Sequence, residues 1–122
     1  MGFTWYTLDG PGWRNGGLLD SNGDPRPSYT AYQVLTQQLI NADYPTPVDY
    51  GAGLEAYAFQ RGSQQVHVVW SKEDSSDLTI LVPASKFIEA RTRDGTLIAP
   101  LPVNDNIQIS VGFSPVYVIR IP

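Results

Sequence analysis

From residue 48 onward, apolar side chains recur at every second position in short runs that end at glycine or proline. Val66, Val68 and Trp70 alternate with His67, Val69 and Ser71, and the same phase marks Leu78, Ile80, Val82 and then Ile107, Ile109, Val111. A period of two is the signature of a β-strand with one face toward a core. Ten prolines and eleven glycines in 122 residues cut these runs into short pieces, which favours strands and turns over long helices. The segments are Leu54 to Gln60, Val66 to Ser71, Leu78 to Val82, Phe87 to Thr92, Thr96 to Ala99, Ile107 to Val111 and Val116 to Ile121. Arg93-Asp94-Gly95, between the fourth and fifth, is a hairpin signal because Asp-Gly accommodates positive φ. About seven short strands at this spacing predict a mainly β chain, an antiparallel β-sandwich in which two sheets bury one another.

Residues 1–45 have a different character. Phe3 to Leu8 is aromatic and β-branched and reads as a strand. A loop rich in glycine and asparagine follows, from Asp9 to Arg26. Pro27 suits the first position of a helix, where its missing N–H has no partner to lose. Tyr29, Tyr32, Leu35 and Leu39 then recur at steps of three and four, with Val34 and Ile40 widening the stripe. Asn41 to Pro47, with two prolines, ends the helix. One N-terminal α-helix is therefore expected ahead of the sandwich, with the boundary between the two regions at 45 and 46.

Composition narrows the function classes. At 42% hydrophobic, the chain has apolar material for one packed core, and 122 residues are too few for two full domains. A net charge of −4 with no basic run argues against nucleic acid and anionic membranes. No apolar stretch reaches the roughly 20 residues of a membrane span. Cysteine is absent, which excludes disulfide and thiol chemistry and leaves the compartment open. Phe3, Trp5, Tyr6 and Leu8 put apolar surface at the very start, so the chain is expected to open inside a strand of a longer polypeptide. Met1 to Thr4 has none of the marks of a signal peptide.

The run Gly17-Leu18-Leu19-Asp20-Ser21-Asn22-Gly23-Asp24-Pro25-Arg26-Pro27-Ser28-Tyr29-Thr30-Ala31-Tyr32 resembles the last βα unit of the (β/α)8-barrel glycoside hydrolases that cleave with two glutamates. In several of those families a small β-sandwich follows at once. Val66 to Ser71 and Ser114 to Val118 resemble its strands. The resemblance implies that residues 1–45 form the end of a barrel and 46–122 a C-terminal sandwich domain. It also implies that the paired carboxylates lie on earlier barrel strands, ahead of residue 1. Retaining hydrolysis of this class needs two carboxyl groups about 5–5.5 Å apart. The three glutamates here, Glu55, Glu73 and Glu89, each lie in or beside a sandwich strand. No catalytic residue is therefore assigned, and no cofactor is implied.

The same resemblance places Trp5 or Tyr6 at the end of the eighth barrel strand. There an aromatic face lies under the sugar ring in the intact enzyme. Trp13 and Arg14 fall in the following loop, on the side of a barrel that carries the active site. These four are the candidate substrate-binding residues. His67 has no Cys or second His beside it and is not expected to bind metal. Asp20 to Asp24 imitates a calcium loop, but Pro25 stands where glycine is required and Ala31 where the bidentate glutamate belongs. Trp70 is expected in the core.

Two functions follow as expectations. The first is a non-catalytic accessory sandwich whose partner is the catalytic barrel of the same parent chain. The second is a carbohydrate-binding module presenting aromatic rings, for which Tyr44, Tyr50 and Tyr57 are the candidates. In isolation, the strand at Phe3 to Leu8 is expected either to pair with the sandwich or to drive homodimer formation.

Overall fold

The structure is a computed structural model that describes residues 22, 24, 27–43, 45–73 and 78–122. Helix α1 spans Pro27–Leu39, with Pro27 at its first position as its fixed φ favours. Eight strands follow among the described residues: β1 (Thr46–Pro47), β2 (Leu54–Arg61), β3 (Gln64–Ser71), β4 (Leu78–Pro83), β5 (Phe87–Arg91), β6 (Leu101–Val103), β7 (Asn106–Val111) and β8 (Val116–Arg120). They make two antiparallel sheets, a five-stranded one in the order β1-β2-β3-β8-β5 and a three-stranded one in the order β4-β7-β6. Among the described residues the chain is mainly β with one helix, and the sandwich is the expected one.

Strand details depart from the sequence reading at three places. Thr96 to Ala99 is no strand beyond a single bridge between Arg91 and Leu97. The Asp-Gly turn itself forms, with the Gly95 N–H donating to Thr92 O at 3.0 Å and the Thr92 N–H to Thr96 O at 2.9 Å. Besides β4, the strand that pairs with β7 is β6, joined to it through Asn104 at φ 55°. Pro100 and Pro102 flank and interrupt that run, which hides it from a reading by propensity. The two-residue β1 was likewise invisible. Ile40 is 63% exposed and does not belong to the buried stripe of α1.

Two apolar clusters hold the fold. The first lies between the sheets: Val69, Ile80, Val82, Ala90, Ile109, Val111 and Val118 are essentially sealed from solvent there. The second lies on the outer face of the five-stranded sheet, where Val34 of α1 meets Phe59, Val66, Val68, Tyr117 and Ile119. Leu35 and Leu39 pack beside it. This second cluster explains why β3 and β8 are buried on both faces, Val66 through Val69 and Val116 through Ile119. A strand covered on both sides reads as a continuous apolar run, as in sheets flanked by helices. The described residues thus form three layers: helix, five strands, three strands.

Local devices fix the edges. Gly62, at φ 62° in the two-residue turn between β2 and β3, gives the turn the hand that matches strand twist. Between Phe87 and Glu89 the pairing with β8 skips one residue, a bulge that turns Ile88 outward. The C-terminal end of α1 is tied to the sheet by Arg61, whose Nη1 donates to the Gln38 carbonyl at 3.0 Å and to its Oε1 at 3.2 Å. The Asp43 N–H donates to Gln60 O at 3.1 Å.

Candidate functional site

At one end of the sandwich the inward-facing positions turn from apolar to polar. In β2 the phase of Ala56 continues to Gln60. In β3 the phase of Val69 continues to His67 and Gln65, and in β8 that of Val118 continues to Arg120. Cross-strand register brings these together, with Gln65 facing both Gln60 and Arg120. The segment between β1 and β2 closes over them. Val48 is anchored by its N–H to Ala56 O at 3.0 Å, and Asp49 Oδ1 accepts the Gly51 N–H at 2.9 Å. Tyr50 is thereby folded inward against the sheet-to-sheet core.

His67, 4% exposed, sits at the centre of this group. Its Nε2 lies 2.9 Å from Gln65 Oε1 and its Nδ1 lies 2.6 Å from the Tyr50 hydroxyl. Gln65 Nε2 donates to Gln60 Oε1 at 3.3 Å, and Gln60 Nε2 donates to Gly62 O at 2.8 Å. These two bonds orient both amides, so Gln65 offers His67 an acceptor, and Nε2 of the ring carries the proton. Burial, reinforced by the charge of Arg120, pulls the imidazole pKa down to about 4, so the ring is neutral near pH 7. Nδ1 is then an acceptor, and Tyr50 O–H donates to it. The result is one directional chain of hydrogen bonds: Tyr50 to His67 to Gln65 to Gln60 to Gly62. Burial also raises the Tyr50 pKa, an effect that hydrogen bonding and charge from Arg120 oppose only in part.

Both ring nitrogens of His67 are thus occupied, which leaves no lone pair for a metal. Beside the chain opens a shallow cavity of about 450 Å³ lined by Val48, Asp49, Tyr50, Thr79, Leu81 and Arg120. Arg120 is held at its rim by Tyr50 and by its own Nε donating to Ile121 O at 3.3 Å. What this arrangement offers chemically is a positioned guanidinium beside a fixed carboxylate and hydroxyls.

The sequence-derived candidates Trp5, Tyr6, Trp13 and Arg14 lie outside the described residues, as does Tyr44. Tyr50 and Tyr57 are placed on opposite faces of the five-stranded sheet, so they form no shared aromatic platform. Tyr57 stacks instead on Trp70, ring centroids 5.9 Å apart and planes 24° from parallel. Trp70 is partly buried and borders the helix-side cluster. Glu89 pairs with Arg91 at 3.1 Å, and Glu55 lies 4.0 Å from Lys72 and accepts from the Tyr57 hydroxyl at 3.5 Å. No glutamate lines the cavity. Sequence reading weighed His67 and passed over Arg120, Asp49 and Gln65. The available signal was polar residues standing in the apolar phase of a strand.

The fold so defined is a helix-backed β-sandwich, and units of this fold form part of larger sugar-cleaving enzymes. The chain is similar to a region of a family 39 glycoside hydrolase from the gut symbiont Bacteroides cellulosilyticus WH2, at a TM-score of 0.75 and 21% identity. That match covers 94% of this chain and 25% of the other. A GH30 endoxylanase from Clostridium papyrosolvens C71 matches at a TM-score of 0.54 and 12% identity, over 87% of this chain and 30% of the enzyme. An alpha-amylase from H. orenii matches at 0.56 and 10%, over 75% and 18%. At these identities what is shared is the fold, and the chain spans about a quarter of the first of these enzymes. No protein-family model matches the sequence, and neither does any curated protein.

Proposed function

We propose that this chain is the non-catalytic C-terminal part of a glycoside hydrolase, in which residues 46–122 are a supporting sandwich and 1–45 the last βα unit of the barrel. The observation that carries this reading is the likeness of 94% of the chain to a quarter of a family 39 glycoside hydrolase. The second apolar cluster supports it physically. A sheet face covered by α1 is how such a unit would be welded to a barrel of which α1 is a part, without a separate linker. The sandwich then contributes buried area that keeps the last barrel helix in place, and the barrel of the same parent chain is its partner. In that enzyme Trp5, Tyr6, Trp13 and Arg14 would face the sugar. The reading of the sandwich as an aromatic sugar-binding module has less support, because Tyr50 is committed to His67 and Tyr57 to Trp70.

The test has two arms. The reading frame upstream of the Met1 codon is expected to encode about 300 further residues in βα repeats, with two carboxylates near the ends of different strands. The 122-residue chain is expected to release no product from a panel of nitrophenyl glycosides. Turnover by the chain itself, or an in-frame stop directly upstream, overturns the proposal.

A further inference from the structure

Among the described residues the ion pairs are Lys72 with Glu55, Arg91 with Glu89 and Arg93 with Asp94. Arg120 has no carboxylate partner in that set, although its aliphatic stem lies in the apolar phase of β8. A guanidinium carries five N–H donors in a planar fork, matched to a carboxylate. The Nε of Arg120 donates to the main-chain carbonyl of Ile121 and a further donor is spent on the Tyr50 hydroxyl, which leaves the remaining N–H groups of the fork for a ligand. The Tyr50–His67–Gln65–Gln60 chain behind it fixes the wall against which the guanidinium rests, so the charge is held in place before any ligand arrives. Pre-ordering of this kind lowers the entropy cost of binding.

The rest of the lining has a complementary character. Leu81, 51% exposed, and Val48 present apolar surface. Asp49 uses Oδ1 on the Gly51 N–H, leaving Oδ2 to accept a hydroxyl, and Thr79 adds a second polar group. A pyranose has one C–H-bearing side and a rim of hydroxyls. Carrying a carboxylate at its sixth carbon, it matches this lining group by group. A cavity of about 450 Å³ is within the range of small-ligand sites.

We propose that this cavity binds a carboxylate-bearing pyranose, with Arg120 holding the carboxylate, Asp49 and Thr79 the ring hydroxyls, and Val48 with Leu81 the apolar side of the ring. Choosing a sugar among possible carboxylates rests on the glycoside-hydrolase reading above. The site lies in the sandwich, away from the face that α1 covers, so it would hold an acidic glycan without any contribution from aromatic stacking.

The experiment is a titration of the ¹⁵N-labelled chain, followed by amide chemical shifts, with methyl glucuronide, methyl glucoside, acetate and inorganic phosphate. Methyl glucuronide is expected to shift residues 48–50, 79–81 and 118–121. The glucoside is expected to bind about tenfold more weakly, as is the Arg120→Met variant toward glucuronide, for loss of a charged hydrogen-bond pair. Arg120→Met keeps the aliphatic stem, and its thermal midpoint controls for folding. Three results overturn the proposal: no shifts with glucuronide, equal binding of glucoside and glucuronide, or acetate or phosphate binding as tightly as glucuronide. None of these bears on the upstream reading frame or the turnover assay, so the supporting role stands or falls separately.

Discussion

Tyr50 and His67, 17 positions apart, meet at 2.6 Å with their rings edge to face, centroids 5.7 Å apart and planes at 72°. This contact joins the segment after β1 to the middle of β3. Because the Gln65 amide accepts from Nε2 of the only histidine, Tyr50 donates to Nδ1.

The burial of the His67 ring, reinforced by the charge of Arg120, gives stability a pH dependence. His67 has a pKa of about 4 in the fold and 6.5 as an unperturbed side chain. Between those values the unfolded chain binds the proton and the folded one does not, so stability falls as pH drops from about 6.5 toward 4. The loss approaches about 3 kcal/mol when both states are protonated, at 1.36 kcal/mol per pKa unit. An NMR titration of the ring C–H should show a midpoint near 4. A midpoint at 6 to 7 would contradict the buried, doubly bonded imidazole. Urea melts of His67→Gln should lose the part of the pH slope that lies above pH 4.

Core truncation should separate the two kinds of apolar position. Ile109 is 1% exposed between the sheets, and Ile109→Ala should cost about 2–5 kcal/mol by lost burial and the cavity left behind. Leu101, 55% exposed on β6, should change stability by less than about 0.5 kcal/mol when cut to alanine. Equal losses in equilibrium unfolding would mean that β6 is covered.

The helix is tied down at its C-terminal end. Arg61→Ala removes the donors to the Gln38 carbonyl and side chain, and should cost about 1 kcal/mol. Amide exchange in the last turn of α1 should quicken while that of β4 and β7 keeps pace with global stability. Unchanged exchange in the helix would show that the apolar cluster around Val34 alone holds it.

Two glycines with positive φ should respond differently. Gly95 has φ 90°, and an added Cβ would lie 3.1 Å from Val34 Cγ2, so Gly95→Ala meets backbone strain and a crowded helix together. A loss of about 1–3 kcal/mol is expected in thermal melts. Gly62 has φ 62° with nothing near its missing side chain. Gly62→Asn, which tolerates that conformation, should cost far less.

Much of the fold was legible in the chain because it depends on short-range chemistry. The period of two in Val66, Val68, Trp70 and in Ile107, Ile109, Val111 marks strands wherever they end up pairing. Pro27 starts a helix for a reason internal to its own ring. Arg93-Asp94-Gly95 makes its turn through its own backbone. What such signals could not tell is which sheet each strand joins. The chain changes sheet after β3, β4, β5 and β7, and only packing selects that order. Tertiary structure also decided that Val66 to Val69 are buried on both sides, because α1 returns onto the outer face of β3. It decided that Thr96 to Ala99 is left as a single bridge while Leu101–Val103 pairs with β7. The site belongs to the same category. Tyr50, His67, Gln65 and Arg120 come from three separate stretches of chain, and an alternating pattern says which face each takes but not who its neighbours are. Local patterns record backbone preference and phase. Register and sheet order come from the free energy of burying distant surfaces together, and that term is written in no single segment.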